Sequence, residues 1–192
     1  NENLKSERGD AFEGGLNFVG LERKLNLRGN LFFTRVARPV VSVTLTSAPN
    51  LITRQRQNVG AARAVGFELD GEFLVRKNLR VSASFLLVDS RVARFPANPL
   101  LVDKFLPQVA RRQLTFQTVY RPTAKLTFSF QGRFSGAQFE DDLNAIKLRP
   151  LATFDTLASY KIYRKLEIFT AIENLFDNRY DIGLTPNRTF AA

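Results

Sequence analysis

The sequence predicts an all-β protein, an antiparallel meander of about eight strands that suits either a panel of transmembrane β-barrel wall or a sheet with one wet face. Three observations carry this reading. Between Gln113 and Ser135 every second residue is large and apolar (Leu114, Phe116, Tyr120, Leu126, Phe128, Phe130, Phe134), while Gln113, Thr115, Gln117, Lys125, Thr127, Ser129, Gln131 and Arg133 lie between them. Side chains alternate across a strand, so one face is greasy and the other hydrophilic. Second, the connections alternate in length: about three to five residues after odd strands and about fifteen to twenty-five after even ones, as in barrels with short periplasmic turns and longer outer loops. Third, no apolar run approaches the ~18 residues of a spanning helix, whereas a membrane strand needs only about ten residues of alternation.

Taken in order, Phe12, Gly14, Leu16 and Phe18 alternate with Glu13, Gly15 and Asn17 as a first strand, and Gly20 to Lys24 turns it around. Leu25, Leu27, Leu31 and Phe33 mark the second. A long connection from Ala37 to Ala62 follows, within which Val40 to Leu45 suits an extension beyond the main sheet. The third strand sets Val65, Phe67, Leu69, Phe73 and Val75 against Gly66, Glu68, Asp70 and Glu72; Arg76 to Asn78 turns it into the fourth, with Leu79, Val81, Ala83, Phe85 and Leu87. Asp89 to Arg112 is a second long connection, with Pro96, Pro99 and Pro107. The hairpin at Gln113–Ser135 turns at Arg121-Pro122-Thr123-Ala124, where proline presets the backbone and cannot donate to a ladder. A polar loop spans Gly136 to Pro150. Strands from Leu151 to Tyr163 and from Leu166 to Glu173 complete the set, and the remaining tail is expected to hold no further complete strand.

Composition narrows the chemistry. The chain has 192 residues, a formal charge of +10, 18 Phe, and no Cys, His, Met or Trp. Without Cys and His only oxygen ligands remain for a metal, and the usual nucleophile-base pairs have no members; no catalytic residue, metal site or cofactor is expected. Arg and Lys are scattered along every segment, which argues against a nucleic-acid partner.

Candidate binding residues lie in the loops and on the hydrophilic face: Arg54, Arg56, Glu68, Asp70 and Arg133. Arg54 and Arg56 suit an anionic chelate, because guanidinium recognises carboxylate and phosphate; they equally suit lipopolysaccharide phosphates or plain loop solubility. Glu68, Asp70 and Glu72 share a face through strand geometry alone, so a water-lined wall paired with Arg28, Arg80 or Arg133 is expected rather than a metal cluster. Glu140-Asp141-Asp142 offers the oxygen ligands calcium takes, but without the spacing of a calcium loop, and a solvated loop is expected. Phe12, Phe85, Tyr120, Phe134 and Tyr163 are placed as aromatic belts at the membrane interfaces. Closure of eight strands alone would force Glu13, Arg28, Glu68, Glu72 and Arg80 into a narrow lumen, so an open sheet with unpaired edges is expected.

The motif Ile172-Glu173-Asn174-Leu175-Phe176-Asp177-Asn178-Arg179-Tyr180 resembles the near-terminal signature of TonB-dependent outer-membrane receptors, carried by Glu173, Asn174, Leu175, Phe176, Asp177 and Tyr180. Asn3-Leu4-Lys5-Ser6-Glu7 with Phe12 to Leu16, Asn58-Val59-Gly60 with Ala64 to Leu69, and Arg133 to Gly136 with Asp141 to Asn144 resemble further elements of the same barrels, in the family's order. The resemblance implies the carboxyl-terminal part of a barrel of twenty-two strands around a plug. It implies a cell outer membrane location in a Gram-negative bacterium, contact with outer-membrane lipid and lipopolysaccharide, and uptake of a scarce solute. That solute would be a ferric siderophore first, or cobalamin or a glycan, with the TonB complex engaged only through a plug region this chain lacks. Residues Pro186 to Ala192 are expected to lead into a last strand the chain does not complete. A passive porin-like barrel and a soluble β-sheet binding module are the alternatives.

Overall fold

The computed structural model describes residues 4–48, 51–184 and 188–191. Eight strands form one antiparallel sheet: β1 (Arg8–Gly20), β2 (Leu25–Ala37), β5 (Ala61–Arg76), β6 (Leu79–Arg94), β7 (Arg112–Tyr120), β8 (Leu126–Ser135), β11 (Leu151–Tyr163) and β12 (Leu166–Ile172). Their order in space is their order in sequence, so the sheet is a meander without a crossover. It does not close on itself: β1 and β12 are its two edges.

Register makes the two faces continuous. One row across the sheet reads Leu16, Gly29, Leu69, Phe85, Leu114, Phe134 and Ala152, each opposite the next. The neighbouring row reads Asn17, Arg28, Asp70, Ser84, Thr115, Arg133 and Thr153. A slip of one residue in any strand would mix these rows, which is why a two-residue period fixes register so firmly here. The apolar face stays open, with Phe12 71%, Leu16 84% and Leu31 66% exposed. Gly132 lies within it under the ring of Phe116, which also packs against Phe130, Phe134 and Phe154; the glycine leaves room for the ring, and a Cβ there would collide with it.

The long connections are structured, and all lie at one end. The first contains the hairpin β3 (Val40–Ala48) and β4 (Leu51–Asn58), a separate two-stranded sheet with a bulge between Thr44 and Thr46. The second contains a 3-10 turn, Pro99–Leu101, and then runs back beside β6, with Leu106 N donating to Ser90 O and Val92 N to Lys104 O. The third holds the short pair β9 (Gln138–Phe139) and β10 (Lys147–Leu148). These loops enclose a small core of Val43, Val59, Val92, Phe95 and Leu101, with Val41 and Leu106 against it.

The tail departs from expectation. It forms β13 (Tyr180–Leu184) paired with β14 (Arg188–Ala191), rather than a strandless end. Pro186, Asn187 and Ala192 lie outside the described residues.

Candidate functional site

The inner wall comes first because the strands position it directly. Alternation sends Arg28, Asp70, Glu72, Ser84, Gln117, Gln131, Arg133 and Asp155 to one face, where they line a concavity of about 620 Å³. Its carboxylates have close partners on the same face. Arg80 Nη1 lies 3.5 Å from Glu72 Oε2, Ser84 Oγ donates to Asp70 Oδ1 at 2.6 Å, and Gln131 Nε2 donates to Asp155 Oδ2 at 2.9 Å. The Arg80 and Glu72 side chains are 52% and 51% exposed, so their attraction is screened and contributes little to stability.

Above the wall the loops tie to one another through buried polar groups. Glu140, Asp141 and Asp142 are each 6% exposed, so the acidic triplet is not the solvated loop the sequence suggested. The reason is local: Asp141 accepts the amides of Ala145 and Ile146 at 3.1 and 2.7 Å, which folds the carboxylate inward as the cap of its own turn. Glu140 accepts from Gln108 Nε2 at 3.0 Å and pairs with Arg54 at 3.5 Å, and Asp142 Oδ2 accepts the Thr44 amide at 3.0 Å. Asn144 clasps Phe105, with Phe105 N donating to Oδ1 and Nδ2 donating to Phe105 O. Three buried atoms at this junction have no hydrogen-bond partner among the described residues: Thr44 Oγ1, Arg54 Nη2 and Asp142 Oδ1. A hydroxyl, a donor and an acceptor together suit water or a group that both donates and accepts, in an adjoining cavity of about 430 Å³.

The amino-terminal segment is held to the same end. Asn58 Oδ1 accepts the Lys5 amide at 2.6 Å while its Nδ2 donates to Lys5 O and Arg38 O. Gly60 follows because a Cβ there would stand 2.7 Å from Arg94 O.

The signature after β12 is a corner pinned to β11. Asn174 takes a left-handed backbone, φ 48°, and its amide donates to Asp155 Oδ1 at 2.8 Å. Its side chain brackets Asn178, accepting that residue's amide and donating to its carbonyl, while Asn178 Nδ2 donates to Ala152 O. Leu175 N donates to Phe154 O at 2.7 Å, and Phe176 sets its ring edge-on to Phe154 at 5.2 Å. Asp177 is the second left-handed residue, φ 49°, and Tyr180 opens β13. Glu173 is exposed.

The sequence-predicted binding residues divide among three places. Asp70 and Arg133 share the inner concavity, and Glu68 lies on the same face two residues along β5. Arg54 is drawn into the loop junction by Glu140, whereas Arg56 is exposed beside a separate opening with Gln57 and Asn58. Of the aromatics, Phe12 and Phe134 stand on the apolar face toward the loop end, Tyr120 and Tyr163 near the short-turn end, and Phe85 mid-strand between Ala83 and Leu87. Asp155, Asp141 and Asn144 went unremarked as structural pins; the signals were a lone carboxylate inside an otherwise uncharged stretch of β11 and the Asp-x-x-Asn spacing.

Comparisons with known proteins agree on one architecture. The family described as "TonB dependent receptor-like, beta-barrel" matches residues 1–175. A curated relative, the probable TonB-dependent siderophore receptor PiuA of Acinetobacter baumannii, is 23% identical over 189 residues, covering 94% of this chain and 24% of its own length. The crystal structure of that organism's siderophore receptor PiuA superposes with a TM-score of 0.75 at 22% identity, covering 95% of this chain and 26% of that one. The ferric yersiniabactin uptake receptor FyuA of Yersinia pestis gives 0.72 at 19%, over 91% of this chain and 26% of its own. The copper transporter OprC gives 0.73 at 19%, over 93% and 27%. At these identities the superpositions establish the fold, and the chain spans about a quarter of the length of each. The chain belongs to the TonB-dependent receptors, β-barrel proteins of the Gram-negative outer membrane, and supplies eight antiparallel strands of barrel wall.

Proposed function

We propose that this chain is a carboxyl-terminal panel of a receptor that takes up a scarce solute across the outer membrane, a ferric siderophore first, with energy supplied through TonB. The observation that carries the reading is the pairing of a wet, mixed-charge inner wall with loops gathered and mutually bonded at one end. A chelate carrying carboxylate or phenolate oxygens would meet Arg56 at the loops, then Arg28 and Arg133 on the wall, as exposed guanidinium groups. The panel binds and guides; it performs no chemistry on the solute. Gating belongs to a plug carried elsewhere in the receptor, which would also present the TonB contact. The edges β1 and β12 need further strands, since lipid offers unpaired amides and carbonyls no partner.

The test is growth under iron limitation. A strain deleted for the receptor gene is supplied with single ferric chelates as its only iron source, beside a strain lacking TonB. Loss of growth and of labelled-iron uptake on one chelate in both strains supports the reading. Unchanged uptake of every chelate in the deletion strain overturns it, and uptake that needs the receptor but not TonB indicates a passive pore.

A further inference from the structure

Arg28 and Arg133 both line the inner concavity, and neither has an ion pair among the described residues. Their neighbours differ. Arg28 lies directly opposite Asp70, with Glu68 and Glu72 at the diagonal positions on the same face of β5. Arg133 lies opposite Thr115 on β7 and Thr153 on β11. Its diagonal neighbours are Gln113 and Gln117 on one side and Leu151 and Asp155 on the other. Asp155 is the one carboxylate among them. A diagonal pair sits about 7–8 Å apart at the backbone, a gap that a long side chain spans. Arg133 and Asp155 nevertheless remain apart.

Neutral donors hold the carboxylate from both sides. On the β8 side, Asp155 Oδ2 accepts Gln131 Nε2 at 2.9 Å. On the β12 side, Oδ1 accepts the Asn174 amide at 2.8 Å, from the corner beyond that strand. Gln131 stands directly opposite Asp155 in register and precedes Arg133 by two residues on the same face of β8. It therefore takes the oxygen that Arg133 would otherwise meet, and a carboxamide satisfies that oxygen without bringing a charge.

We propose that Gln131 is a positioning residue of the inner wall: by occupying Asp155 it leaves the Arg133 guanidinium unpaired for an anionic group of the solute. The corner at Asn174 contributes from the other side, since its amide keeps the second oxygen turned toward β12. A guanidinium already bound to a carboxylate must release it before taking a carboxylate or phenolate of a chelate, so affinity falls with the fraction of Arg133 held in such a pair. Arg28, set among three carboxylates, has no comparable shield. This role rests on the reading of the chain as part of a solute receptor.

The whole receptor, purified in detergent without chelate, is treated briefly with phenylglyoxal, which condenses with accessible guanidinium groups. Labelling of each arginine is followed by peptide mass spectrometry. Arg133 should label at a rate close to that of Arg56, which is exposed at the loops. In Gln131→Leu the freed carboxylate should capture Arg133 and slow its labelling about twofold to fivefold, the range of an exposed ion pair, while Arg28 labels as before. Adding Asp155→Asn to Gln131→Leu should restore the wild-type rate, because a neutral amide forms no ion pair. Unchanged Arg133 labelling in Gln131→Leu overturns the proposal, and so does slowing that Asp155→Asn fails to relieve, which would mean altered packing. Slow labelling of Arg133 in the wild-type receptor overturns it as well. Heat-modifiable gel migration checks folding, and Gln131→Ala replaces Gln131→Leu if that variant misfolds. No solute enters the measurement, so the uptake reading and this one fail separately.

Discussion

The wall and the loop cap of this protein are stabilised in opposite ways. In the cap, side chains pack on each other: the buried hydrophobics among the described residues, from Val43 and Val59 through Val88, Val92, Phe95 and Leu101 to Leu148, all sit at the loop end. In the wall, backbone pairing holds strands of up to 16 residues while Leu16, Leu31, Ile168 and Ile172 stand more than half exposed on the apolar face. A water-soluble sheet built that way would aggregate along a greasy face. A barrel wall has a second solvent, and the exposed residues are buried by lipid rather than by protein. Exposure therefore carries a different meaning at the two ends of the same strand.

The cap should break most readily. Leu101 is 1% exposed in the core with Val92 and Phe95, and Leu101→Ala should cost about 2–5 kcal/mol through lost burial and a residual cavity. Limited proteolysis of the receptor in detergent should show faster cleavage in the loops while the wall keeps its heat-modifiable migration. Simultaneous loss of both would mean that the cap is not a separate unit of stability.

Next comes a test on the wall that exposure alone would misjudge. Leu31 is 66% exposed and would be freely replaceable in water, yet Leu31→Arg should cost about 2–4 kcal/mol on the lipid face. Gln117→Arg, on the inner face, should cost less than about 1 kcal/mol. Denaturant titration in lipid vesicles compares them. Equal costs would remove the distinction between the faces.

The wall was legible in the sequence and the cap was not, for a physical reason. Alternation is local, so Leu114 to Phe134 announced a strand pair without any partner known, and the register between neighbouring strands then followed from keeping the apolar faces together. The cap depends on contacts with no local period. Val43 packs near Val92 and Leu101, some fifty residues on by the numbering, and Thr44 meets Asp142 across 98. Val40 to Leu45 did show its alternation, but not what it would cover. The acidic triplet read as solvated because its charge was visible and the inward turn made by Asp141 was not. For the candidate site, Asp70 and Arg133 were placed together by parity; Arg54 and Arg56 share a face of β4 yet part company, because only Arg54 meets Glu140.

At the corner where wall meets cap, Asn174 serves both. Asn174→Ala removes two side-chain hydrogen bonds to Asn178 and leaves a Cβ residue with φ 48°, a loss of about 1–2 kcal/mol. Asn174→Gly keeps the left-handed backbone at ease and should lose less. Thermal unfolding of the two variants followed by gel migration ranks them; equal losses would show that the side-chain bonds, which both variants lack, and not the left-handed backbone, set the corner.

The smallest effect tests whether the inner wall is wet. Arg80 and Glu72 lie 3.5 Å apart with half of each side chain exposed. In water such a pair contributes less than about 1 kcal/mol and weakens with salt, because two long side chains must be ordered for a screened attraction. Arg80→Gln should therefore shift the unfolding midpoint barely, and raising salt should narrow the gap to wild type further. In a dry lumen the same substitution would strand the Glu72 carboxylate and cost about 3–5 kcal/mol, with little dependence on salt. A cost of that size would move the wall's inner face from solute path to packed core, and the difference between wall and cap would then lie only in which side of the sheet the protein covers.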